Sequence, residues 1–308
     1  MGSLRQSQTV AVLVLVAVLL VVWYIAAIFL NAPVILDRLS RDGVTPSVPE
    51  LVLQTWSYTR PVLPAPHQIL IDLSNTTLTL APTSKRSLLY HAWITLSATL
   101  LGFVMGTILG VLLAVFIVHN HAANRSLMPW IIASQTVPIL AVAPVIVVLC
   151  YNLLTGQNAI AQVLHLKADA AQLFSKAVIS TYLSFFPVVV GMVKGLRSPE
   201  LIQTDLMRTY SATTWQMLKL LRWPTAVPFL FASMKVAVAA SLVGAIVAEL
   251  PTGAQAGLGA KLLIGSYNGQ MVQLWSALVL AAILAGALVA LVGLAERITV
   301  SRMGVRPA

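Results

Sequence analysis

Long apolar runs without charged side chains constrain this chain more than any other feature of its sequence. Residues 9–30 and 88–118 each exceed the roughly 20 residues that an α-helix needs to cross about 30 Å of hydrocarbon. The chain of 308 residues is 58% hydrophobic and 9% charged, whereas a soluble domain has about 25% charged residues. The runs predict an all-α polytopic membrane protein that crosses the bilayer about six times.

The candidate spanning helices are residues 9–30, 88–118, 129–154, 176–194, 226–250 and 271–294. A secretory signal peptide is a competing interpretation of the first run, because Arg5 precedes it. Signal peptides have apolar cores of about 7–15 residues, and the greater length of this run favours an uncleaved span.

Residues 31–86 differ from these runs, since they are rich in proline and polar residues. Proline interrupts a helix and exposed backbone needs water, so this segment predicts an extracytoplasmic loop. The moderately polar segment 155–175 predicts a helix at the outer interface. The predicted division is an N-terminal transmembrane helix (1–30), the proline-rich loop (31–86), a core of five transmembrane helices (87–300) and a cytoplasmic tail (301–308).

Sequence patterns of metal and nucleotide enzymes are missing. The chain contains no Gly-x-x-x-x-Gly-Lys-Ser/Thr, His-Glu-x-x-His or Cys-x-x-Cys pattern, and its single cysteine excludes an internal disulfide. Basic residues that flank membrane spans explain the net charge of +10, because no basic stretch is dense or interleaved with aromatic side chains. We predict a chain that is not an enzyme and that binds no metal, cofactor or nucleic acid.

The polar connection 197–225 lies between two of the apolar runs and predicts two short helices. Ser198 is placed to cap the first helix, with Pro199 in its first turn. Thr213 and Gln216 have the spacing of a capping box, and Pro224 is placed to stop the second helix. Two short helices held against a membrane predict a docking surface for another protein.

Several residues within the apolar runs are candidates for packing or transport. Gly102, Gly106 and Gly110 recur every four residues, which predicts a glycine seam against a neighbouring helix. Glu249 is a charge at membrane depth, where charge is costly and marks a functional residue by default. It could line a pathway, stabilise a gate or hold a helix end, and we predict that Gln135 and Pro138 line the same pathway.

Three motifs, in order along the chain, resemble those of the inner-membrane permeases of binding-protein-dependent ABC importers, of the nitrate/sulfonate/taurine type. The resemblance begins near Leu63-Pro-Ala-Pro66 and extends to the C-terminus. The motifs are Gln135-x-x-Pro138-x-x-Ala-x-x-Pro144; Asp205-Leu206-Met207 with Ser211 and Trp223-Pro224, at the places of Glu-Ala-Ala, Gly and Leu-Pro; and Ala248-Glu249 followed by Gly257-Leu-Gly259.

The resemblance implies a type I ABC importer permease fold in the inner membrane. It also implies that the first short helix is a coupling helix that enters a cleft on an ATPase subunit. The implied partners are two ATPase subunits, a second permease copy or paralogue, an external solute-binding protein and the lipid bilayer. The residues expected at the ATPase are Glu200, Asp205, Leu206, Met207, Arg208, Tyr210, Ser211 and Gln216.

Departures from the family pattern affect this docking surface. Leu206 and Met207 are bulkier than alanine, and Ser211 lacks the freedom of glycine at positive φ, which predicts a distinct ATPase partner. A surface helix lying on lipid is the alternative for the connection. For the whole chain the alternative is a secondary transporter driven by an ion gradient, which predicts charged pairs within the membrane and inverted repeats. We expect Lys235 to extend to the cytoplasmic surface.

Overall fold

The computed structural model describes residues 2–43, 46–156, 167–250 and 256–303, with side chains from residue 10 onward. All regular structure in these ranges is helical. The helices are α1 (Gly2–Arg41), α2 (Val48–Ser57), α3 (Pro66–Ser74), α4 (Leu88–His119), α5 (His121–Ser134), α6 (Ile139–Thr155), α7 (Ala168–Leu196), α8 (Leu201–Thr209), α9 (Thr214–Met217), α10 (Trp223–Glu249), α11 (Leu258–Tyr267) and α12 (Met271–Arg302). Single π-helical turns follow α3 and α9, at Asn75–Thr79 and Leu218–Arg222.

The predicted all-α membrane fold with about six spans is confirmed. In the described part of the chain, five helical stretches are long and apolar enough to cross a bilayer: Val10–Arg41, Leu88–His119, Ala168–Leu196, Thr214–Glu249 and Met271–Arg302. The helices α5 and α6 together form a sixth candidate, and they are bent by 101° at the break between them. The third predicted run is therefore a broken helix, because Pro138 cannot donate the backbone hydrogen bond that would continue α5.

The chain divides into two compact units. The first contains the residues up to Tyr90 and residues 261–280; the second contains residues 91–260 and the chain from Ala281 onward.

In the first unit, the predicted boundary at residue 30 is wrong because α1 continues through Pro33 to Arg41. The reason is a tertiary contact. The buried Asn31 donates to the carbonyls of Thr55 and Leu63 and accepts from the amides of Val62 and Leu63. These bonds fix the 55–63 chain against the end of the apolar run. Residues 31–86 accordingly contain the end of α1, the helices α2 and α3 and a π-helical turn, not an extended loop.

In the second unit, α4, α7 and α10 pack closely around a buried apolar cluster. Its large, almost completely buried side chains are Ile117 on α4, Val188, Val189, Met192 and Leu196 on α7, and Val238 on α10. Glycine and serine residues line the contacts between these helices, which allows the backbones to approach closely. This packing fixes both ends of α10, where the two candidate sites lie.

Residues 157–166 of the predicted interface helix at 155–175 lie outside the described residues. Its last part, from Ala168, belongs instead to the long helix α7, which carries on without a break to Leu196. The sequence also gave no indication of α11, because its first residues follow a glycine-rich stretch that is typical of a loop.

Candidate functional site

The connection between α7 and α10, residues 197–222, forms the first candidate site and is called the elbow below. Its entry is fixed by Arg197, whose Nη2 donates to Asn124 Oδ1 at 2.9 Å. Asn124 lies in the first turn of α5, in the polar connection that follows α4. The two connections are therefore joined by a hydrogen bond in the second unit.

The first elbow helix begins later than predicted. Ser198 does not cap it, since its hydroxyl donates back to the Gly195 carbonyl at 2.8 Å. Glu200 is the N-cap residue of α8, and its backbone N–H donates to Gln203 Oε1 at 3.2 Å. The Ser198 hydroxyl is engaged by the last turn of α7 and cannot cap α8. Glu200 therefore takes the N-cap position, where Gln203 accepts from its backbone N–H.

Helix α8 presents charge and apolar surface together. Arg208 Nη1 lies 3.2 Å from Asp205 Oδ1, and both side chains are exposed. Leu206 is 56% exposed, whereas Met207 is half-buried. The most exposed large apolar side chains of the elbow are Leu201 (82%), Tyr210 (77%), Ile202 (73%) and Trp215 (69%).

Ser211 ends α8 in a left-handed conformation with φ +52°. Its N–H donates to the Arg208 carbonyl, and the N–H of Ala212 donates to the Met207 carbonyl. This is the Schellman arrangement, in which the residue after the cap is usually glycine. The serine thus adopts the conformation that glycine would adopt more easily, at a cost of about 1–2 kcal/mol.

The second elbow helix has the predicted capping box. Gln216 Oε1 accepts from the Thr213 N–H at 2.8 Å, and the Gln216 N–H donates to Thr213 Oγ1 at 3.3 Å. The side chain of Gln216 is therefore engaged within the elbow. Pro224 does not stop a helix, since it lies in the first turn of α10, where the missing N–H costs nothing.

The three seam glycines on α4 all face α7. A Cβ added at Gly102 would meet Ser180 and the Ala177 carbonyl, and one added at Gly106 would meet Ser184. At Gly110 it would lie 2.7 Å from Val188 Cβ. Each position therefore depends on the absence of a side chain.

The second candidate site lies at the opposite end of α10, around Glu249. Its carboxylate is completely buried and accepts from Thr95 Oγ1 at 2.9 Å and from the Gly259 N–H at 2.9 Å. Lys176 Nζ, almost completely buried on α7, lies 3.3 Å from Glu249 Oε1 and also donates to the Ala256 carbonyl at 3.2 Å. The residue predicted from its depth in the membrane is one half of a buried ion pair.

Neighbouring side chains extend this pair around the start of α11. The N–H of Gly257 donates to His91 Nδ1, and the N–H of Leu258 donates to Thr95 Oγ1, both at 2.9 Å. With Gly259 on Glu249, three consecutive amides at a helix start bind three side chains, as orphan N–H groups require. We call the four side chains His91, Thr95, Lys176 and Glu249 the clasp, and residues 256–259 the clasped turn.

Gln135 and Pro138 lie elsewhere, in the break between α5 and α6, where both are exposed. The Tyr182 hydroxyl on α7 donates to the Ser134 carbonyl at that break, which also accepts from the Val137 N–H. Gln135 Nε2 donates only locally, to Ser134 Oγ at 3.4 Å. The structure thus places the three predicted pathway residues at two separate positions.

Sequence reasoning missed the partners of Glu249. Lys176 lies at the start of the predicted span 176–194, and its pairing with Glu249 was not predicted. Lys235 was expected to extend to the surface, but it pairs with Glu296 on α12. A lysine at the edge of an apolar run, with a carboxylate at the edge of another, is the signal that could have indicated the clasp.

Apolar spanning helices that pack through glycines, with an exposed polar elbow after one of them, define a multi-pass membrane protein. The chain belongs to the family of binding-protein-dependent transport system inner membrane components, which matches residues 106–303. It is thus an ABC transporter permease of the inner membrane, and not itself an enzyme. Membership implies an ATPase and a solute-binding protein as partners.

Two relatives carry named solutes. The riboflavin transport system permease protein RibX of Chloroflexus aurantiacus is 31% identical over 68% of this chain and 71% of its own length. The formylaminopyrimidine transport permease protein ThiX of Halalkalibacterium halodurans is 29% identical over 64% of this chain and 68% of its own. A probable ABC transporter permease protein of Haemophilus influenzae is 25% identical over 77% of this chain and 86% of its own.

Proposed function

We propose that this permease imports a small organic solute under the power of ATP, with α8 as the coupling helix that enters a cleft on the ATPase. The observation that supports it best is the elbow, where a charged pair and four large apolar side chains are exposed after the spanning stretch Ala168–Leu196, the last of them, Trp215, at the start of the stretch Thr214–Glu249. Exposed apolar clusters of this kind are typical of protein interfaces. Two ATPase copies and a second permease copy or paralogue complete the proposed assembly.

The anchors of this interface are the exposed aromatic side chains. Tyr210 caps α8 and Trp215 lies in α9, so both project from a short rigid turn. Aromatic and arginine side chains supply much of the binding energy of small interfaces. The charge pattern of Asp205 and Arg208 then fixes which ATPase surface fits, because complementary charge gives specificity more than affinity.

We place the solute among small nitrogen heterocycles related to vitamins. The support is that two relatives are named for riboflavin and for formylaminopyrimidine transport. The nitrate/sulfonate/taurine type of permease remains the other prediction. Calorimetry with the partner solute-binding protein, titrated with riboflavin, an aminopyrimidine and taurine, distinguishes them. Binding of taurine alone would contradict our assignment.

Copurification of the ATPase tests the docking site. Asp205→Lys and Arg208→Glu should each reduce the ATPase recovered with the tagged permease by about tenfold, as loss of a well-placed charge at an interface does. Asp37 and Arg41 on α1 form a matched control pair, because their side chains are 65% and 77% exposed, against 65% and 74% for Asp205 and Arg208. Asp37→Lys and Arg41→Glu should leave recovery unchanged. Equal recovery in all four variants would contradict docking at the elbow.

An ion-gradient mechanism is the second candidate, and one observation favours it. Two ion pairs, Lys176–Glu249 and Lys235–Glu296, lie within spanning stretches. Proteoliposomes that contain the permease, the ATPase and the binding protein separate the two mechanisms. Solute uptake that requires ATP on the side of the ATPase and is insensitive to ionophores supports our proposal. Solute uptake that is driven by an ion gradient without ATP supports the alternative.

A further inference from the structure

We propose that the clasp is a releasable closure at the outer end of the permease, which holds the clasped turn shut and lets it go during transport. The proposal rests on the proposed function, since it places the elbow at the cytoplasmic face. Lys176 and Glu249 are then positioning residues, which act through the turn that they hold.

Topology puts the clasp at the outer end. Helix α10 begins directly after the elbow and has Glu249 as its last residue. Its 27 residues span roughly 40 Å at about 1.5 Å per residue, which exceeds the roughly 30 Å hydrocarbon thickness. With the elbow inside the cell, Glu249 and the clasped turn lie at the outer surface.

The contacts show that the turn is held by side chains and not by its own apolar packing alone. One carbonyl and three amides of residues 256–259 bind the four clasp side chains, which come from α4, α7 and α10. Glu249 is the junction, because Thr95, Lys176 and Gly259 all donate to it. Loss of this one carboxylate therefore removes the Gly259 contact directly, and it leaves Thr95 and Lys176, which also bind the turn, without their acceptor.

Glycines make the turn fit the carboxylate. Gly257 has φ +131°, and a Cβ there would overlap the Glu249 carboxyl group. A Cβ at Gly259 would lie 2.8 Å from Glu249 Cβ. The turn thus lies directly against the Glu249 carboxyl group, and glycine leaves the backbone of the turn free to take another conformation.

The ion pair has a route for opening. Lys176 lies in the third turn of α7, and its flexible four-carbon stem lets the ammonium move toward the interface while its backbone stays in place. A buried ion pair stabilises a fold little compared with apolar packing of the same volume. The Lys176–Glu249 pair instead holds the closed state through polar contacts, and water can replace these contacts once the clasped turn moves.

Cysteine labelling tests the closure. Cys150 is the only cysteine in the chain, so Cys150→Ala gives a cysteine-free background. In that background Leu258→Cys places a thiol on the clasped turn, at a position that is 0% exposed. Tyr267→Cys is the exposed control, since Tyr267 is 81% exposed, and Ala177→Cys is the protected control at 0%. The probe is a membrane-impermeant maleimide added to the assembled transporter from the outer side.

We expect slow labelling of Leu258→Cys in the resting complex and a rise of about tenfold when Glu249→Gln is added, as expected when a local opening becomes about tenfold more populated. Ala177→Cys should stay protected in the same variant. Trapping the ATPase with MgATP and vanadate should change the Leu258→Cys rate in the intact clasp. The vanadate-trapping measurement needs no substitution of a clasp residue, so it tests the closure even if the Glu249→Gln variant does not fold.

A Leu258→Cys rate that is unchanged both by Glu249→Gln and by nucleotide trapping would overturn the closure. Rates at Leu258→Cys and Ala177→Cys that rise equally would show general unfolding and would also overturn it. ATPase copurification is measured on the same samples. Failure to recover any ATPase with the permease that has an intact clasp would contradict the proposed function, while the effect of Glu249→Gln on labelling still tests the clasp.

Discussion

Lys176 and Glu249 lie 73 residues apart in the chain, yet Lys176 Nζ is 3.3 Å from Glu249 Oε1 and their side chains are 3% and 0% exposed. No apolar environment tolerates one of these charges without the other. The pair therefore ties the start of α7 to the end of α10, and the consequences of breaking it depend on which half is removed.

Removal of one partner should cost more than removal of both. We expect Glu249→Gln or Lys176→Met to destabilise the permease by about 3–5 kcal/mol, because each leaves an uncompensated buried charge or donor. The double variant should be less destabilised than the sum of the two. Thermal unfolding in detergent, followed by tryptophan fluorescence, gives the double-mutant cycle. Additive losses would show that the two side chains do not interact.

The glycine seam predicts a position-dependent response to one added methyl group. Gly110→Ala should destabilise the permease by about 1–3 kcal/mol, since the new Cβ would overlap Val188 on α7. Gly286 on α12 is the matched control, because nothing lies within 4 Å of a Cβ there. Gly286→Ala should be neutral or stabilising by up to about 1 kcal/mol from helix propensity. Similar melting temperatures for the two variants would contradict the close contact of α4 with α7.

Ser211 predicts opposite effects for two substitutions. Ser211→Gly should relieve the positive-φ conformation, although the greater freedom of glycine in the unfolded chain offsets part of the gain. Ser211→Val should loosen the end of α8, because a β-branched residue is strained at positive φ. Limited trypsin digestion reports the difference at Arg208, which is exposed. Faster cleavage in the glycine variant than in the valine variant would contradict the cap.

The hydrogen bonds of Asn31 predict that this one side chain stabilises the contact of α1 with residues 55–63. Asn31→Leu removes four hydrogen bonds and leaves the Leu63 carbonyl and the Val62 amide without these partners, so we expect a loss of about 1–3 kcal/mol. Ser40→Ala is the control, because the Ser40 hydroxyl makes an exposed local bond on the same helix. Trypsin cleavage at the exposed Arg60 should accelerate only in Asn31→Leu. Equal rates would show that Asn31 does not organise the 55–63 chain.

Hydropathy predicted the spanning helices because their apolar length is a local property of the sequence. The run at 88–118 differs by one residue from the observed Leu88–His119. The capping box of Thr213 and Gln216 was also local, and it is present. The behaviour of the prolines was less predictable, since Pro33 lies inside α1 and Pro224 lies in the first turn of α10.

The candidate sites were predictable to different degrees for the same reason. The elbow could be located from its polarity and from spaced motifs, although its docking role stays a prediction. Glu249 could be located from its depth, but its side-chain partners Lys176 and Thr95, and His91 on the same turn, come from distant parts of the chain. No local pattern in the sequence indicates that these residues are in contact in the folded chain.

Helix α10 joins the elbow to the clasp without an interruption, and its stiffness makes it a lever. A tilt of about 10° around the centre of a rod roughly 40 Å long moves each end by about 3.5 Å. That movement exceeds the 2.9 Å separating Glu249 Oε2 from the amide nitrogen of Gly259. A rotation too small to disturb the apolar contacts midway along α10 is thus enough to part the polar ones at its end.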